Sequence, residues 1–243
     1  MTDSSHPLLI QGIRKSFGSK QVLDGIDFAL NPREIFGLIG LNGAGKTTLI
    51  KIILGLLGPD AGGVQVSGCV PTDIAARRHY NYLPEKFHPS PYLTGHEFLS
   101  LALAYHGLPY DPEIGAAMCA SLDFPVNYIG QRVGSYSKGM GQKLGLASVL
   151  LSNAPLLILD EPMSGLDPLA RIRLKEQLLQ ARAQGRTVFF SSHILADIDE
   201  ICDRIAVIHA TKLVFLGTPK ELKERYGKAS LEMAFLGSIE KAA

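Results

Sequence analysis

The sequence has no apolar run long enough to cross a membrane. None of the apolar stretches in its 243 residues approaches the roughly 18 residues that a bilayer-spanning helix needs. The first residues, MTDSSHPLLI, also lack the basic segment and the long apolar run of a secretory signal peptide. We therefore expect a chain that is soluble by itself and that would serve a membrane only through a partner.

The sequence also has little net charge and few cysteines. Its 24 lysines and arginines nearly balance its 23 aspartates and glutamates, which gives a formal net charge of +1 and no basic footprint for nucleic acid. The three cysteines, Cys69, Cys119 and Cys202, are scattered and show no spacing typical of a metal site. We therefore expect reduced thiols in a cytosolic protein, no cysteine metal centre and no nucleic-acid partner.

What the sequence does contain is apolar material arranged as alternating strands and helices. Hydrophobic residues make up 46% of the chain, which is enough for a substantial core. Strand and helix signals alternate over residues 1–87 and again over residues 154–243, and this pattern predicts a mainly parallel sheet. Residues 88–153 carry helix signals and few strand signals. We therefore predict one α/β domain into which a helical subdomain is inserted at residues 88–153.

A glycine-rich segment, GLNGAGKT at residues 40–47, fits the pattern G-x-x-x-x-G-K-[ST] of a phosphate-binding loop. It lies between the predicted buried strand EIFGLIG and the predicted helix KTTLIKIILGLL, which we expect to end at Gly58-Pro59. In such a loop the backbone N–H groups bind phosphate oxygens, Lys46 reaches the β- and γ-phosphates, and the Thr47 hydroxyl ligates Mg²⁺. The pattern predicts a nucleotide site, the alternative being a loop that needs glycines only for its backbone.

Two adjacent carboxylates follow another apolar segment, LLILDEP at residues 156–162. The carboxyl ends of parallel strands are where ligands bind in open α/β sheets. We expect Asp160 to hold Mg²⁺ through water and Glu161 to polarise the attacking water, although such a pair is otherwise often a solvated strand end. His193 follows the predicted strand TVFFSSH at the same edge of the sheet, where an imidazole can donate to a γ-phosphate.

A second candidate anion site begins at YSKGMGQKL, residues 136–144. Ser137 is a favourable N-cap, and the two glycines that follow leave backbone N–H groups uncovered. Apolar residues then recur at helical spacing from Leu144 to Leu151. A helix N-terminus of this kind binds anions, so the sequence predicts two anion sites in separate parts of one chain.

The segments GLNGAGKTT, YSKGMGQKL, LLILDEP, SGLDP and SSH occur in this order, and together they resemble the ATP-binding subunit of ABC transporters. The resemblance covers nearly the whole chain, and the signature segment followed by SGLDP is specific to ABC ATPases. It implies the ABC ATPase fold, an α/β P-loop NTPase with a mainly parallel sheet core, an antiparallel β part and an inserted helical subdomain. A GTPase would need an N-K-x-D guanine-binding motif, which the sequence lacks.

The resemblance also implies a dimer, a metal cofactor and a membrane partner. Two ATPase subunits would meet head to tail, so that each ATP, with Mg²⁺, lies between the phosphate loop of one copy and the signature helix of the other. A separate polytopic permease would dock near Glu85 and the helical insert, at about residues 86 to 110. The chain would then be peripheral at the cytoplasmic face of the cell membrane. The stretches SKGM, LPE and ASLEMAFL resemble the drug-export branch, so we expect export.

The same resemblance assigns roles to individual residues. Glu161, His193 and Glu85 would act in catalysis, and Thr47, Asp160 and Glu85 would surround Mg²⁺. The residues expected to contact ATP directly are Phe17, Asn42, Gly43, Ala44, Gly45, Lys46, Thr47 and Thr48. The signature residues expected to contact the partner's nucleotide are Ser137, Lys138, Gly139 and Met140. Asp167 would lie at the dimer seam. Phe17 would stack on adenine, whereas a phenylalanine beside a glycine turn is otherwise simply a core residue.

The sequence departs from the family pattern in three places. Tyr136, Lys138 and Met140 replace the Leu, the first Gly and the Gln of the common signature L-S-G-G-Q, while the phosphate-contacting Ser and second Gly remain. Glu85 stands where the family usually has a Gln that faces Mg²⁺ and water, and it adds a charge there. Met163 begins the segment that usually starts with Thr.

Three other functions remain open at this stage. A soluble ABC ATPase of an assembly complex would share the fold without serving transport, although the long coiled-coil insert of the chromosome types and the second cassette of the translation types are missing. A regulatory protein that binds nucleotide without turnover would not need the carboxylate and histidine set. A small-molecule kinase would not need the signature helix. The sequence does not identify a cargo.

Overall fold

The computed structural model describes residues 6–241, which form a layered α/β fold. Its strands and α-helices follow one another in the order β1 (Leu8–Phe17), β2 (Lys20–Ala29), β3 (Ile35–Ile39), α1 (Lys46–Ile53), β4 (Ala61–Val66), β5 (Tyr80–Leu83), α2 (Gly95–Tyr105), α3 (Pro112–Ser121), α4 (Lys138–Leu151), β6 (Leu156–Asp160), α5 (Pro168–Ala183), β7 (Thr187–Ser191), α6 (Leu195–Ile201), β8 (Arg204–His209), β9 (Lys212–Gly217), α7 (Pro219–Tyr226) and α8 (Leu231–Glu240).

The strands form two sheets of different character. Six strands pair in the order β5-β6-β7-β3-β8-β9, and all of these pairs are parallel except β8 with β9. The first strands form a smaller antiparallel sheet in the order β2-β1-β4. The prediction of a mainly parallel core with an antiparallel β part is therefore confirmed.

The parallel strands are apolar along their whole length because both faces of the large sheet are covered. Every residue of β3, β6 and β7 is buried, as expected for parallel strands with layers on both sides. Alternate side chains enter two different cores. Ile35, Leu157 and Val188 face the helical layer. Phe36, Ile158 and Phe189 face α1 and the antiparallel sheet.

The segment between β5 and β6 is helical, as predicted. It contains α2, α3 and α4, and the structure assigns no strand between Leu83 and Leu156 within the described chain. Thr94 caps α2 in a reciprocal arrangement with Glu97, and Asp111 caps α3. The boundaries 88 and 153, and the division of the chain into subdomains, stay predictions.

Helix α1 is shorter than the sequence predicted. It ends at Ile53, five residues before the expected stop at Gly58. Gly55 terminates it instead, with φ +69°, a left-handed conformation that favours glycine after a helix. A Cβ on Gly55 would lie 2.8 Å from the Pro71 carbonyl oxygen, so the stop depends on a distant loop as well as on local sequence.

Candidate nucleotide site

The phosphate loop connects β3 to α1 and leaves the N-terminus of that helix uncovered. Gly45 occupies the N-cap with φ +101° and supplies no side-chain cap. A Cβ there would lie 2.8 Å from Leu23 Cδ2, so only glycine fits. Lys46 is buried, and its ammonium donates to the Gly40 carbonyl oxygen at 2.7 Å. The loop thus encloses a cation and presents backbone N–H groups, which is the chemistry of a phosphate site.

Asp160 lies at the end of β6, directly beside the phosphate loop. Its side chain is buried; Ser191 Oγ donates to Oδ1 at 2.6 Å, and Thr47 Oγ1 donates to Oδ2 at 3.4 Å. Burial raises the pKa of this carboxyl, and the nearby charges of Glu161 and Glu85 raise it further. Because ionisation of this carboxyl is unfavourable in the folded chain, a bound cation would stabilise its ionised form.

The donor set around Asp160 fits Mg²⁺ held together with a nucleotide. Within residues 6–241, no group of three or more His, Cys, Asp or Glu side chains is arranged to bind a metal by itself. Mg²⁺ is typically held by one or two protein ligands, several waters and substrate phosphates rather than by an all-protein cage. Asp160 with the adjacent Thr47 hydroxyl provides such a partial set.

Glu161 is turned out of the strand so that its carboxylate faces the phosphate loop. Its φ is +51°, and its N–H donates to Ser191 Oγ at 3.0 Å. Its Oε2 lies 2.7 Å from His193 Nδ1, and its Oε1 lies 4.0 Å from Lys46 Nζ. Because Asp160 is still in the strand and Glu161 has left it, the two adjacent carboxylates have different neighbours and can do different work.

A cavity of about 510 Å³, which we call the nucleotide cavity, lies over these groups and falls within the size range of small-molecule sites. The residues that line it are Lys20, Val22, Leu41, Asn42, Gly43, Gly45, Lys46, Thr47, Thr48, Glu85, Asp160, Glu161 and His193. Most of the residues predicted to bind ATP, bind Mg²⁺ or act in catalysis are therefore brought together. Ala44 and Phe17 were also predicted contacts and do not line this cavity, although Ala44 belongs to the loop.

Phe17 lies at the end of β1, beside the cavity rather than within its wall. Its side chain is 52% exposed, so the alternative that it is a core residue is wrong. Its backbone pairs with Lys20, which does line the cavity, and Lys15 Nζ lies 5.7 Å from its ring centroid. Stacking on adenine stays a prediction.

Three residues of the site, Lys20, Val22 and Ser191, could not be predicted from the sequence. Lys20 and Val22 line the cavity because β2 passes beside the phosphate loop, and nothing in the strand pattern marks them. Ser191 joins Asp160 to Glu161 through two hydrogen bonds. The only signal for Ser191 was a hydroxyl at the end of an otherwise apolar strand.

Glu85 follows β5 and is exposed at the junction of two cavities. It lines the nucleotide cavity and also a second cavity of about 700 Å³ that contains Tyr136, Ser137 and Lys138. Burial raises the pKa of Tyr82 to about 12, with Asp160 and Glu85 contributing further. Glu85 is also within electrostatic reach of Asp160, whose pKa it raises, although its own role stays a prediction.

The signature helix α4 begins as the sequence predicted. Ser137 is its N-cap, and the Ser137 hydroxyl accepts from the Met140 N–H at 3.2 Å. A Cβ on Gly139 would lie 3.4 Å from the Gly165 carbonyl oxygen, so this first turn packs closely on the SGLDP segment. None of the signature residues lines the nucleotide cavity in the described chain, so the two predicted anion sites are separate within one copy.

Asp167 links the SGLDP segment to α4. It is the N-cap of α5, accepts from the Ala170 N–H at 2.9 Å, and lies 3.4 Å from Lys143 Nζ. The hydrogen bond from Ala170 and, after it, the Lys143 charge lower the pKa of Asp167. Lys143 also contacts Asp123 Oδ2 at 3.0 Å. This lysine therefore connects α4 to the segment that contains Asp123 and to the SGLDP segment.

No helix in residues 6–241 is long and apolar enough to span a membrane.

Comparison with known proteins agrees with this geometry. The sequence model of the family described as "ABC transporter" matches residues 23–164. An uncharacterised ABC transporter ATP-binding protein of Nostoc sp. is 40% identical over 206 residues, which cover 82% of this chain and 61% of that protein. The Nod factor export ATP-binding protein I of Burkholderia thailandensis is 36% identical, with 90% of this chain and 73% of that protein covered.

Two further matches extend over almost the whole chain. The linearmycin resistance ATP-binding protein of Bacillus subtilis is 31% identical over 243 residues, which cover 97% of this chain and 76% of that protein. A solved structure titled "Structure of ATP binding subunit of ABC transporter" superposes with a TM-score of 0.87 at 32% identity, covering 95% of this chain and 98% of that one. The chain spans less than two thirds of its cyanobacterial relatives, 61% of the Nostoc protein and 57% of a Synechocystis one.

Proposed function

Because the chain belongs to the ABC transporter family, we propose that it binds ATP with Mg²⁺, hydrolyses it, and drives transport through a separate membrane permease. The observation that carries this proposal is the position of Glu161. Its carboxylate lies 2.7 Å from His193 Nδ1 and 4.0 Å from Lys46 Nζ, and Glu161 lines the cavity beside the phosphate loop. A regulatory protein without turnover would have no use for this arrangement.

Catalysis of ATP hydrolysis depends more on positioning and charge neutralisation than on covalent chemistry by the protein. Lys46 and the N–H groups at the start of α1 would neutralise the phosphate oxygens. Glu161 would orient and polarise the attacking water. His193, whose Nδ1 lies 2.7 Å from Glu161 Oε2, would contact the γ-phosphate through Nε2. Mg²⁺, held at Asp160 and Thr47, would supply further charge neutralisation when bound.

The second anion site would act on the nucleotide of another copy. Within one chain the N-terminus of α4 is separate from the nucleotide cavity, so Ser137 and Gly139 need a partner's ATP to contact phosphate. A head-to-tail dimer meets this need, and it places Asp167 at the seam. Nucleotide binding then favours the closed dimer because only the closed state completes both sites.

A permease would dock on the helical insert and the adjoining groove. Residues there with large exposed apolar side chains are Leu56, Tyr92, Leu101 and Tyr105. A cavity of about 290 Å³ lies between Leu54, Tyr80 and Tyr105. Apolar exposure of this kind marks interaction surfaces. The subunit would thereby be held peripherally at the cytoplasmic face of the cell membrane.

The direction of transport that we propose is export. Two relatives carry export or resistance in their names, the Nod factor export protein and the linearmycin resistance protein. The segment ASLEMAFL, which resembles the drug-export branch, includes the N-cap and the first residues of helix α8. The cargo path would lie in the permease, so no cargo is proposed.

Phosphate release by the purified chain tests the ATPase proposal. We expect Mg²⁺-dependent release that Lys46→Ala abolishes together with tight ATP binding, whereas Lys51→Ala, on the exposed face of the same helix, should behave as wild type. Glu161→Gln should slow turnover by about 10²- to 10⁴-fold while ATP still binds. Wild-type turnover in that variant would remove Glu161 from the catalytic step.

Affinity purification tests the transport proposal against its alternative. Tagged Glu161→Gln, extracted in detergent from membranes of the native host with ATP present, should co-purify with a polytopic membrane protein in stoichiometric amount. Leu101→Glu and Tyr105→Glu, placed on the proposed docking surface, should lose that partner, while Met233→Glu on α8 should keep it. A soluble partner alone would favour an ABC ATPase of a non-transport assembly complex.

A further inference from the structure

The last helix, α8, is firmly anchored behind the phosphate loop. Ser230 caps it by accepting from the Met233 N–H. Leu231, Ala234 and Phe235 point inward and are buried. The helix packs against α6, α7 and β9. The family sequence model ends at residue 164, so nothing about this helix follows from that match.

Phe235 lines a small cavity that adjoins the phosphate loop. This cavity has a volume of about 160 Å³, and its lining includes Gly40, Leu41, Asn42, His193, Leu195 and Phe235. Three of these residues, Leu41, Asn42 and His193, also line the nucleotide cavity. They therefore form a wall shared by the nucleotide cavity and the small cavity that Phe235 lines.

Few hydrogen bonds hold the side chains of this wall. Leu41 is 47% exposed, and within residues 6–241 no hydrogen bond holds the Asn42 side chain. The His193 side chain is 58% exposed, and its ring is held through Nδ1 to Glu161. Across the small cavity these groups face apolar side chains, and Phe235 is the largest of them.

We propose that Phe235 is a positioning residue for ATP binding and hydrolysis, which supports the phosphate-loop turn and His193 from behind. It acts through those residues because it does not line the nucleotide cavity itself. The proposal rests on the ATPase function proposed above. Removing the ring enlarges the small cavity, into which Leu41, Asn42 and His193 can then retreat, and small displacements of positioned groups carry large kinetic costs.

The test compares two phenylalanines of equal burial. Phe215, in β9, is 7% exposed, as Phe235 is, and it lines neither the nucleotide cavity nor the small one behind it. Alanine and leucine are introduced at each position, and each variant is assayed for thermal midpoint, equilibrium affinity for Mg²⁺-ATP, kcat and KM. Met233→Ala, half-exposed on the outer face of α8, controls for changes in the helix itself.

Phe235→Ala should weaken Mg²⁺-ATP binding and lower kcat, each by roughly tenfold. Phe215→Ala should lower the thermal midpoint by a similar amount and leave affinity and kcat unchanged, and Phe235→Leu should recover most of the loss. If Phe235→Ala does not fold, the two leucine variants carry the same comparison. Equal affinities and kcat values for the Phe235 and Phe215 variants would overturn the proposal.

This experiment separates the inference from the function on which it rests. If the wild-type chain releases no phosphate from ATP, the ATPase proposal fails, while the binding titration still measures whether Phe235 positions the loop. If the wild-type chain is active and the Phe235 variants bind and turn over ATP normally, the inference about Phe235 fails alone.

Discussion

Replacing Arg186 by leucine should lower the free energy of unfolding by about 3–5 kcal/mol, because this one side chain closes the C-terminus of the signature helix. Its guanidinium donates to the carbonyl oxygens of Leu150 at 2.8 Å, Val149 at 3.1 Å and Ala154 at 3.0 Å. It also donates to Ser152 Oγ at 3.3 Å. Burial lowers the pKa of Arg186 to about 10, so the group is still charged at neutral pH.

The size of this loss in stability follows from the carbonyl oxygens that leucine would leave without a hydrogen-bond donor. The last carbonyls of a helix have no partner within it, and Val149, Leu150 and Ala154 are all buried. The Val149 carbonyl would keep the Ser152 hydroxyl as a donor at 2.7 Å, whereas the Leu150 and Ala154 carbonyls would lose their partner. A buried carbonyl without a partner costs about 1–3 kcal/mol, so two of them would cost about 2–6 kcal/mol. Water entering the space left by the guanidinium should recover part of the loss, which leaves about 3–5 kcal/mol.

Chemical denaturation measures this loss directly. Urea unfolding curves for wild type, Arg186→Leu and Arg186→Lys should share one slope and differ in midpoint, with the lysine variant intermediate because it keeps the charge but not the fork of donors. Arg182→Leu, four residues earlier, is the matched control. Arg182 pairs with Asp203 near the surface, with side chains 34% and 40% exposed, and should cost less than about 1 kcal/mol. Equal losses at Arg186 and Arg182 would refute the assignment of Arg186 as the helix cap.

Three further changes have expected outcomes. Asp160→Asn should raise the thermal midpoint of the nucleotide-free chain at pH 7. Burial raises the folded-state pKa of Asp160 above its unfolded value, so the ionised side chain destabilises the folded state at neutral pH, and asparagine removes this cost. Calorimetry should show the gain disappearing below about pH 4, where both states are protonated, and a lower midpoint at pH 7 would contradict it. Phe17→Ala should weaken ATP binding roughly tenfold in a titration, since base stacking is lost, with an unchanged thermal midpoint because the ring is half-exposed; unchanged affinity would mean that Phe17 does not stack. Lys143→Met should lower the urea midpoint by removing the cation between Asp123 and Asp167, and an unchanged midpoint would show that these contacts are not stabilising.

The elements of the nucleotide site were predictable where they depend on local sequence. The phosphate loop needs a buried strand, glycines and a helix start in succession, and all three occur within Ile35–Ile53. The Ser137 cap and the apolar spacing of α4 are equally local. The positions of Asp160 and His193 required one more step, namely that the carboxyl ends of parallel strands share an edge.

Other parts of the site depend on which strands are neighbours, and the sequence pattern does not determine that order. Ser191 can bridge Asp160 and Glu161 only because β6 and β7 are adjacent. Lys20 reaches the nucleotide cavity only because the antiparallel sheet lies beside the phosphate loop. Phe235 reaches the back of that loop across nearly two hundred residues of chain, and a tail that resembles the drug-export branch gives no hint of such a contact.

The central claim is that the signature helix of one copy acts on the nucleotide of another, and mixing two inactive variants tests it most directly. Lys46→Ala removes the phosphate-loop cation and leaves the signature intact. Gly139→Asp adds a negative charge at the signature and leaves the phosphate loop intact. Gly139 is helical without a positive φ, so the substitution has a small folding cost, and Gly139→Ala controls for the side chain without the charge.

Phosphate release is measured for each variant alone and for mixtures of the two across a range of ratios. Each variant alone should be inactive, since every site in its dimer lacks one half. An equal mixture should recover about a quarter of the wild-type number of complete sites, because half of randomly paired dimers are mixed and each of these has one complete site. Mixtures as inactive as their parents at every ratio would contradict a site shared between copies.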